Sequence, residues 1–302
     1  MTIDFEGRVA IVTGAGSGLG RSHALGLAAR GANVVVNDFG QNGGFNNAMR
    51  VVEEIRAGGG TAVGDNADVA DFAEVSEMIA RAERLWGHVD ILVNNAGVLR
   101  DKTFAKMEMA DFEFVLRVHL MGSANCTKAV WAGMRERNYG RIVLTSSASG
   151  IYGNFGQANY GAAKAAMIGL MNVLHLEGAK NDIRVNVLAP TARTGMTEGL
   201  LSPVAAELMT PESVTPGVLF LVSEDAPSRV ILGAGAGVFA VTHIGETPGV
   251  YLDESERTPE TIAARFAEIS NAETAAEPLK DAFSQTYKFV AAAAKAKGIK
   301  LE

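Results

Sequence analysis

Cysteine is almost missing: Cys126 stands alone among 302 residues. An internal disulfide is thereby excluded, and the composition suits a reducing compartment. Cys126 itself reads as a small buried hydrophobe. Basic runs are absent too. Lys and Arg total 27 against 34 Asp and Glu, a net charge of −7, whereas nucleic-acid binding needs a dense basic surface. No apolar run reaches the roughly 18 residues of a spanning helix. The opening MTIDFEGRVAIVTG, acidic at its start and only briefly apolar, is unlike a secretory leader. Five histidines (His23, His88, His119, His175, His243) are scattered without the paired spacing of zinc ligands. The expectation is a cytoplasmic protein with no metal and with neither nucleic acid nor membrane as a partner.

What is present is apolar residue: 48 % of the chain, enough to bury the core of one large α/β domain. Short runs rich in Val, Ile and Leu begin at Arg8, Ala32, Val89, Arg141 and Ile183, with a weaker one at Thr61. They read as parallel strands buried on both faces. Helical patterns lie between them; in Asp71 to Trp86, Val75, Met78, Ile79 and Leu85 share a face. This alternation predicts a doubly wound parallel sheet of the Rossmann type. Two stretches depart from it, a Gly/Asn-rich loop after Asp38 and a long segment after Leu188 with one short helix. Beyond the glycine-rich GAGAGVFAV the pattern turns helical. Thr258-Pro259 is a helix start, Ile262, Phe266 and Ile269 recur at helical spacing, and Pro278 opens a run aligning Leu279, Phe283 and Tyr287. The expected division is a dinucleotide-binding domain over 1–242 and a helical C-terminal extension over 243–302, packed on that domain.

TGAGSGLGR follows the first strand directly, as Gly14-x-x-x-Gly18-x-Gly20 with Gly16 between. Glycines there allow a tight turn, and the exposed N–H groups of a helix start attract a pyrophosphate. Gly14, Gly16, Ser17, Gly18, Leu19 and Gly20 are therefore candidate cofactor contacts. Asp38 ends the second strand, where a carboxylate accepts from an adenosine ribose and repels a 2′-phosphate. No Arg or Lys stands at Ser17 or just after Asp38. The cofactor reads as NAD rather than NADP.

The stretch TSSASGIYGNFGQANYGAAK holds the chemistry. A helix from about Gln157 places Tyr160 and Lys164 one turn apart on one face. A nearby ammonium, like an oxidised nicotinamide, favours the phenolate, which can take a proton from an alcohol as hydride leaves its carbon. A serine at the end of the preceding strand, among Ser146, Ser147 and Ser149, can hold the same oxygen. Tyr152 has no lysine at that spacing and reads as a pocket residue. Glu53 and Glu54 read as surface charge.

TGAGSGLG, the NNAG of Asn94 to Gly97, and Tyr160-x-x-x-Lys164 together resemble the short-chain dehydrogenase/reductase family over residues 5 to 240. The resemblance implies that Ser147, 13 residues before the tyrosine, is the catalytic serine. It places Asn94, Asn95, Ala96 and Gly97 on the cofactor side, and Asp68 and Val69 beside adenine. Where most members carry an asparagine in the central helix, this chain has His119, a proton relay or a structural histidine. The usual Pro-Gly after the sixth strand is Pro190-Thr191, which leaves Thr194 and Thr197 as further candidates. VVVND, NNAGVLRD and RVHLMGS narrow the resemblance to the (3R)-hydroxyacyl-CoA dehydrogenase modules of type 2 multifunctional enzymes, a subgroup that also holds 17β-hydroxysteroid dehydrogenases. It implies an acyl-CoA or steroid substrate and a homo-oligomer, dimer or tetramer, formed through helices near 111–135 and 157–178. Arg100 and Lys102 border the mouth of the site, either as surface residues or facing an anionic substrate tail. A regulatory NAD-binding protein without turnover is the alternative; the intact Ser147, Tyr160 and Lys164 argue against it.

Overall fold

The computed structural model describes residues 2–40, 44–193, 203–271 and 279–301. Eight strands form one sheet: β1 (Val9–Thr13), β2 (Asn33–Asn37), β3 (Thr61–Asp65), β4 (Ile91–Asn94), β5 (Gly140–Thr145), β6 (Ile183–Pro190), β7 (Ile231–Gly235) and β8 (Val238–Val241). Their order is β3-β2-β1-β4-β5-β6-β7-β8. All pairs are parallel except β7 with β8. Successive residues of a strand face opposite ways. Ala10 and Val12 thus join one core cluster with Val34, Val36 and Leu27, while Val9 and Ile11 join another with Met78, Val130 and Met167. Helices cover both faces, as a parallel sheet requires.

Those helices are α1 (Gly18–Ala28), α2 (Gly44–Ala57), α3 (Phe72–Trp86), α4 (Met109–Leu116), α5 (Gly122–Arg137), α6 (Ala148–Tyr152), α7 (Ala158–Gly178), α8 (Pro203–Leu208) and α9 (Thr215–Leu221). In α3, Asp71 accepts from the N–H groups of Ala73 and Glu74, and Gly87 closes the far end at φ 86°. Val75, Met78, Ile79 and Ala82 are its buried positions; Leu85, expected on that face, is exposed, and Trp86 packs against the core at the next position of the stripe. The Gly/Asn-rich run after Asp38 is not loop throughout, since α2 begins at Gly44. Glu54, read as surface charge, pairs with Arg21 between α2 and α1.

The chain divides into two compact units, Met1–Thr242 and His243–Glu302. The second holds α10 (Pro259–Ala264), α11 (Phe266–Ile269) and α12 (Ala282–Lys297). Thr258 caps α10 by accepting from Thr261 N at 3.1 Å. Ile262 and Phe266 do not share one helix, because the chain breaks at Arg265 (φ −101°, ψ 10°). Pro278 lies outside the described residues, and α12 starts at Ala282 behind an Asp281 cap. Among the described residues no helix is long and apolar enough to cross a membrane, and no group of three or more His, Cys, Asp and Glu is placed to hold a metal ion.

Candidate active site

β1 lies between β2 and β4, so the chain leaves the sheet in opposite directions on its two sides. A crevice opens there at the carboxyl ends of the strands, where doubly wound folds bind ligands. The glycine loop fills one side of it. Gly20 is pressed against its own loop: a Cβ there would sit 2.2 Å from Gly14 O, which no side chain tolerates. Ser17 precedes α1 in extended conformation with no side-chain cap, leaving the N–H groups of Gly18, Leu19 and Gly20 turned to the helix start. Asp38, just past β2, accepts from Gly16 N (2.8 Å) and Gly40 N (3.1 Å). Its carboxyl is held above the ordinary range, because burial outweighs those two bonds.

The loop is braced from behind through Thr13, which the motif reading did not assign. Thr13 Oγ1 accepts from Asn95 N and Ala96 N, both at 3.0 Å. The Asn95 side chain donates to Thr13 O (2.9 Å) and Gly14 O (3.1 Å), so it supports the loop rather than facing the crevice. Asn94 is buried and donates to Thr127 Oγ1. Asp68 is engaged locally: its carboxylate accepts from Ala70 N at 2.9 Å and its own N–H donates to Glu74. Val69 is buried and its carbonyl accepts from Asn125. Pro190 ends β6, and Thr191 N donates to Ala234 O on β7. Thr194 and Thr197 lie outside the described residues.

Across the crevice, β5 delivers Ser147 and α7 delivers Tyr160 and Lys164. Ser147 begins α6, its Oγ accepting from Ser149 N at 3.2 Å. Gly150 of α6 packs on the backbone of Lys164 and Ala165, which brings serine and tyrosine together. The Tyr160 phenol sits above its ordinary pKa; burial drives it up, and a hydrogen bond from Ser147 offsets part of that. Lys164 is buried, donates to Thr145 O at 2.6 Å, and lies 5.6 Å from the Tyr160 ring centroid. Burial pushes its amine down to about 7. In this environment burial is the first cause of both shifts, up for the phenol and down for the amine.

His119 stands in a π-helical turn, Arg117–Met121, where Gly122 N–H reaches back to Arg117 O. Such turns recur at functional sites. Its ring meets Tyr160 edge-on, centroids 5.3 Å apart at 81°. Nε2 is 2.8 Å from Val98 O and 3.1 Å from Val98 N; Nδ1 is buried with no protein partner. Burial, then the charge of Lys164, push the imidazole down to about 3, so it stays neutral in the working range. Gly97 is the close neighbour that makes room, since a Cβ there would fall 2.3 Å from His119 Cε1.

A cleft of about 310 Å³ starts beside Ser147 and runs to the β7–β8 hairpin, lined by Ile151, Tyr152, Thr191, Gly233 and Ala240 among others. Tyr152 OH and Thr242 Oγ1, 3.2 Å apart, meet at its rim. The glycine-rich GAGAGVFAV, which gave no strand signal, is that hairpin. Arg100 and Lys102 are not free at the mouth: both approach Asp111, at 3.8 and 3.3 Å.

Comparison with known proteins agrees with this geometry. The family model described as short chain dehydrogenase matches residues 8–203. "Peroxisomal multifunctional enzyme A" of Dictyostelium discoideum is 43 % identical over 92 % of this chain, which spans 63 % of that protein. Acetoacetyl-CoA reductase of Allochromatium vinosum is 37 % identical over 72 % of this chain and 92 % of its own length. The structure of the Drosophila melanogaster peroxisomal multifunctional enzyme type 2 superposes with a TM-score of 0.82 at 37 % identity, covering 97 % of this chain and 50 % of that one. A 7α-hydroxysteroid dehydrogenase complexed with NADH and a 7-oxo bile acid superposes with a TM-score of 0.71 at 31 % identity, over 78 % of this chain and 95 % of that one. The chain spans from about a third to about two-thirds of the length of the multifunctional proteins it matches. Two of these names include the word peroxisomal, a compartment that composition does not distinguish from the cytoplasm. With the family model covering most of the sheet and the glycine loop, serine, tyrosine and lysine at one crevice, the chain belongs to the short-chain dehydrogenase family and is an oxidoreductase with a nicotinamide cofactor.

Proposed function

We propose that the protein interconverts a (3R)-hydroxyacyl-CoA and its 3-ketoacyl-CoA with NAD(H). The observation that carries the chemistry is the meeting of Ser147, Tyr160 and Lys164 beside an apolar cleft. Asp38 carries the cofactor choice: its carboxylate lies against Gly16 of the phosphate loop, which fits a ribose with two free hydroxyls and opposes a 2′-phosphate. The loop and the start of α1 fit a pyrophosphate. When bound, the oxidised nicotinamide supplies the hydride acceptor and a positive charge.

In oxidation, Ser147 donates to the substrate oxygen and holds it. Tyr160, as phenolate, takes the hydroxyl proton while hydride leaves the carbinol carbon, and a ketone remains. In reduction the phenol returns that proton to the forming alkoxide. Lys164 lowers the energy of the phenolate whenever its amine is charged and holds the ribose. His119, neutral and edge-on to the ring, positions Tyr160 rather than relaying a proton.

The acyl-CoA assignment is supported by the identity to the multifunctional enzymes and by the acetoacetyl-CoA reductase match. The cleft, walled by glycine and alanine of β7 and β8, suits a chain worth about 0.8 kcal/mol per buried methylene. A steroid alcohol is the second reading, favoured by the similarity to the 7α-hydroxysteroid dehydrogenase. Assembly into a homo-oligomer through α4, α5 and α7 belongs to the same proposal; Met109, Met121, Val173 and Leu176 are exposed there. The test is the specificity constant, with NAD, for a medium-chain (3R)-hydroxyacyl-CoA against its (3S) isomer and a 17β-hydroxysteroid. The (3R) thioester is expected to lead. A preference for the (3S) isomer, or a steroid favoured more than tenfold (about 1.4 kcal/mol of transition-state binding), overturns the substrate while leaving the oxidoreductase intact.

A further inference from the structure

Gln157, three residues before Tyr160, is a junction of three segments that frame the reacting atoms. Its Oε1 accepts from Ser149 Oγ at 2.8 Å and from Asn154 Nδ2 at 3.0 Å. Its Nε2 donates to Asp101 Oδ2 at 2.7 Å. Ser149 comes from α6, Asn154 from the turn before α7, and Asp101 from the loop that follows β4, where Lys102 N also donates to Gly156 O. Only Asp101 is distant in sequence, 56 positions from Gln157.

The polarity of this network follows from one group. An ionised carboxylate only accepts, so Asp101 obliges the amide nitrogen of Gln157 to face it. The amide oxygen must then face Ser149, and the Ser149 hydroxyl must donate. That bond anchors Ser149 in the first turn of α6, where its backbone N–H donates to the capping Ser147 Oγ at 3.2 Å. Ser147 accepts on that side, and its own proton is left to point toward the phenol and the substrate oxygen.

We propose that Gln157 and Asp101 are positioning residues that aim the Ser147 hydroxyl at the reacting oxygen. The proposal rests on the reading of Ser147 and Tyr160 given above. Neither residue touches the reacting atoms; they act through Ser149. A merely structural role would show in stability and cofactor binding. A positioning role shows in kcat, since a small misplacement of a catalytic group is felt in the rate far more than in binding.

The test measures kcat, KM, NADH affinity and melting temperature for Gln157→Leu, Asp101→Ala and Asp101→Asn, with whichever of the (3R)-hydroxyacyl-CoA and the 17β-hydroxysteroid the wild type turns over faster. Gln157→Leu is expected to lower kcat about tenfold with KM, NADH affinity and melting unchanged. Asp101→Ala is expected to lower kcat in the same sense, and Asp101→Asn, which keeps an acceptor, to recover most of that loss. Because the two residues act in one chain, the double variant Asp101→Ala/Gln157→Leu is expected to be no slower than Gln157→Leu alone. Should Gln157→Leu lose NADH binding, Ser149→Ala, which removes the hydroxyl at the other end, carries the same expectation. Unchanged kcat in Gln157→Leu or in its substitute, or full additivity in the double variant, overturns the proposal alone. A wild type inert toward both substrate classes overturns the reading of the site and this proposal together.

Discussion

Two buried cations sit at opposite ends of the central strands, and they are treated differently. Arg141, at the amino end of β5, is fully buried and saturated. It donates to Gly140 O, Asp182 O, Ser223 O and Glu224 O at 2.7 to 3.0 Å and pairs with Asp182 Oδ2 at 3.0 Å; Tyr139 stacks on it at 4.2 Å. Lys164, at the carboxyl end, has one protein acceptor, Thr145 O. At the same ends of β4 and β5 and in the π-helical turn, Asn94 Oδ1, Thr145 Oγ1 and His119 Nδ1 are buried with no partner. Native interiors pair their polar groups. An end where capacity is spent holds the fold; an end where it is spare is arranged for a ligand.

Replacing each cation by Met breaks the comparison most strongly. Arg141→Met takes one donor from each of the carbonyls of Ser223, Glu224 and Asp182, which keep Ala226 N, Arg184 and Gly140 N, and is expected to destabilise by about 1–3 kcal/mol. The Asp182 carboxylate keeps Arg184 at 2.9 Å, so the loss comes chiefly from the Arg141 hydrogen bonds themselves. Lys164→Met is expected to act in the opposite direction. The folded amine is depressed to about 7, so its share of stability is present above about pH 10.5 and lost as pH falls toward 7. Removing it is expected to raise the neutral-pH melting point while activity disappears. Denaturant melts of both variants decide; equal losses would erase the distinction.

Acid sharpens it next. His23, on α1 under the glycine loop, is fully buried, with Nδ1 2.9 Å from Thr215 Oγ1 and Nε2 unpartnered. Burial depresses it to about 3, as it does His119. Stability is therefore complete above the unfolded value of 6.5 and falls between 6.5 and about 3, by about 1.4 kcal/mol per pH unit for each buried imidazole. Unfolding free energies from pH 7 to 5 for wild type and His23→Gln are expected to converge at the acid end. Parallel curves would show that His23 protonates freely.

The smallest effect concerns Asp38. Asp38→Ala is expected to narrow the NAD-over-NADP ratio of specificity constants by about tenfold, near 1.4 kcal/mol, because the repulsion of a 2′-phosphate is gone. A wild type that already prefers NADP refutes that role for Asp38.

Local spacing explains what the sequence made legible. Tyr160 and Lys164 are one helical turn apart, the glycines pack within one loop, and β1, β2, β4, β5 and β6 are dense in β-branched residues. The hairpin of β7 and β8 was not legible, because Gly233, Ala234, Gly235 and Ala240 carry no strand signature and the pairing supplies it. Leu85 shows the limit of a periodic stripe, where the neighbouring Trp86 takes the place against the core. The Thr13–Asn95 brace and the Gln157–Asp101 junction join residues 82 and 56 positions apart. No motif of adjacent residues announces such contacts; the sheet brings them together.

The claim that the unsaturated end is the working end is tested most directly at Tyr160. Turnover and NADH affinity are to be measured on one preparation of Tyr160→Phe beside wild type. The ring and its edge contact with His119 survive, and only the phenolic oxygen goes. Turnover is expected to fall by about 100-fold or more with NADH affinity unchanged. Turnover within about tenfold of wild type would contradict the assignment of Tyr160 as acid and base.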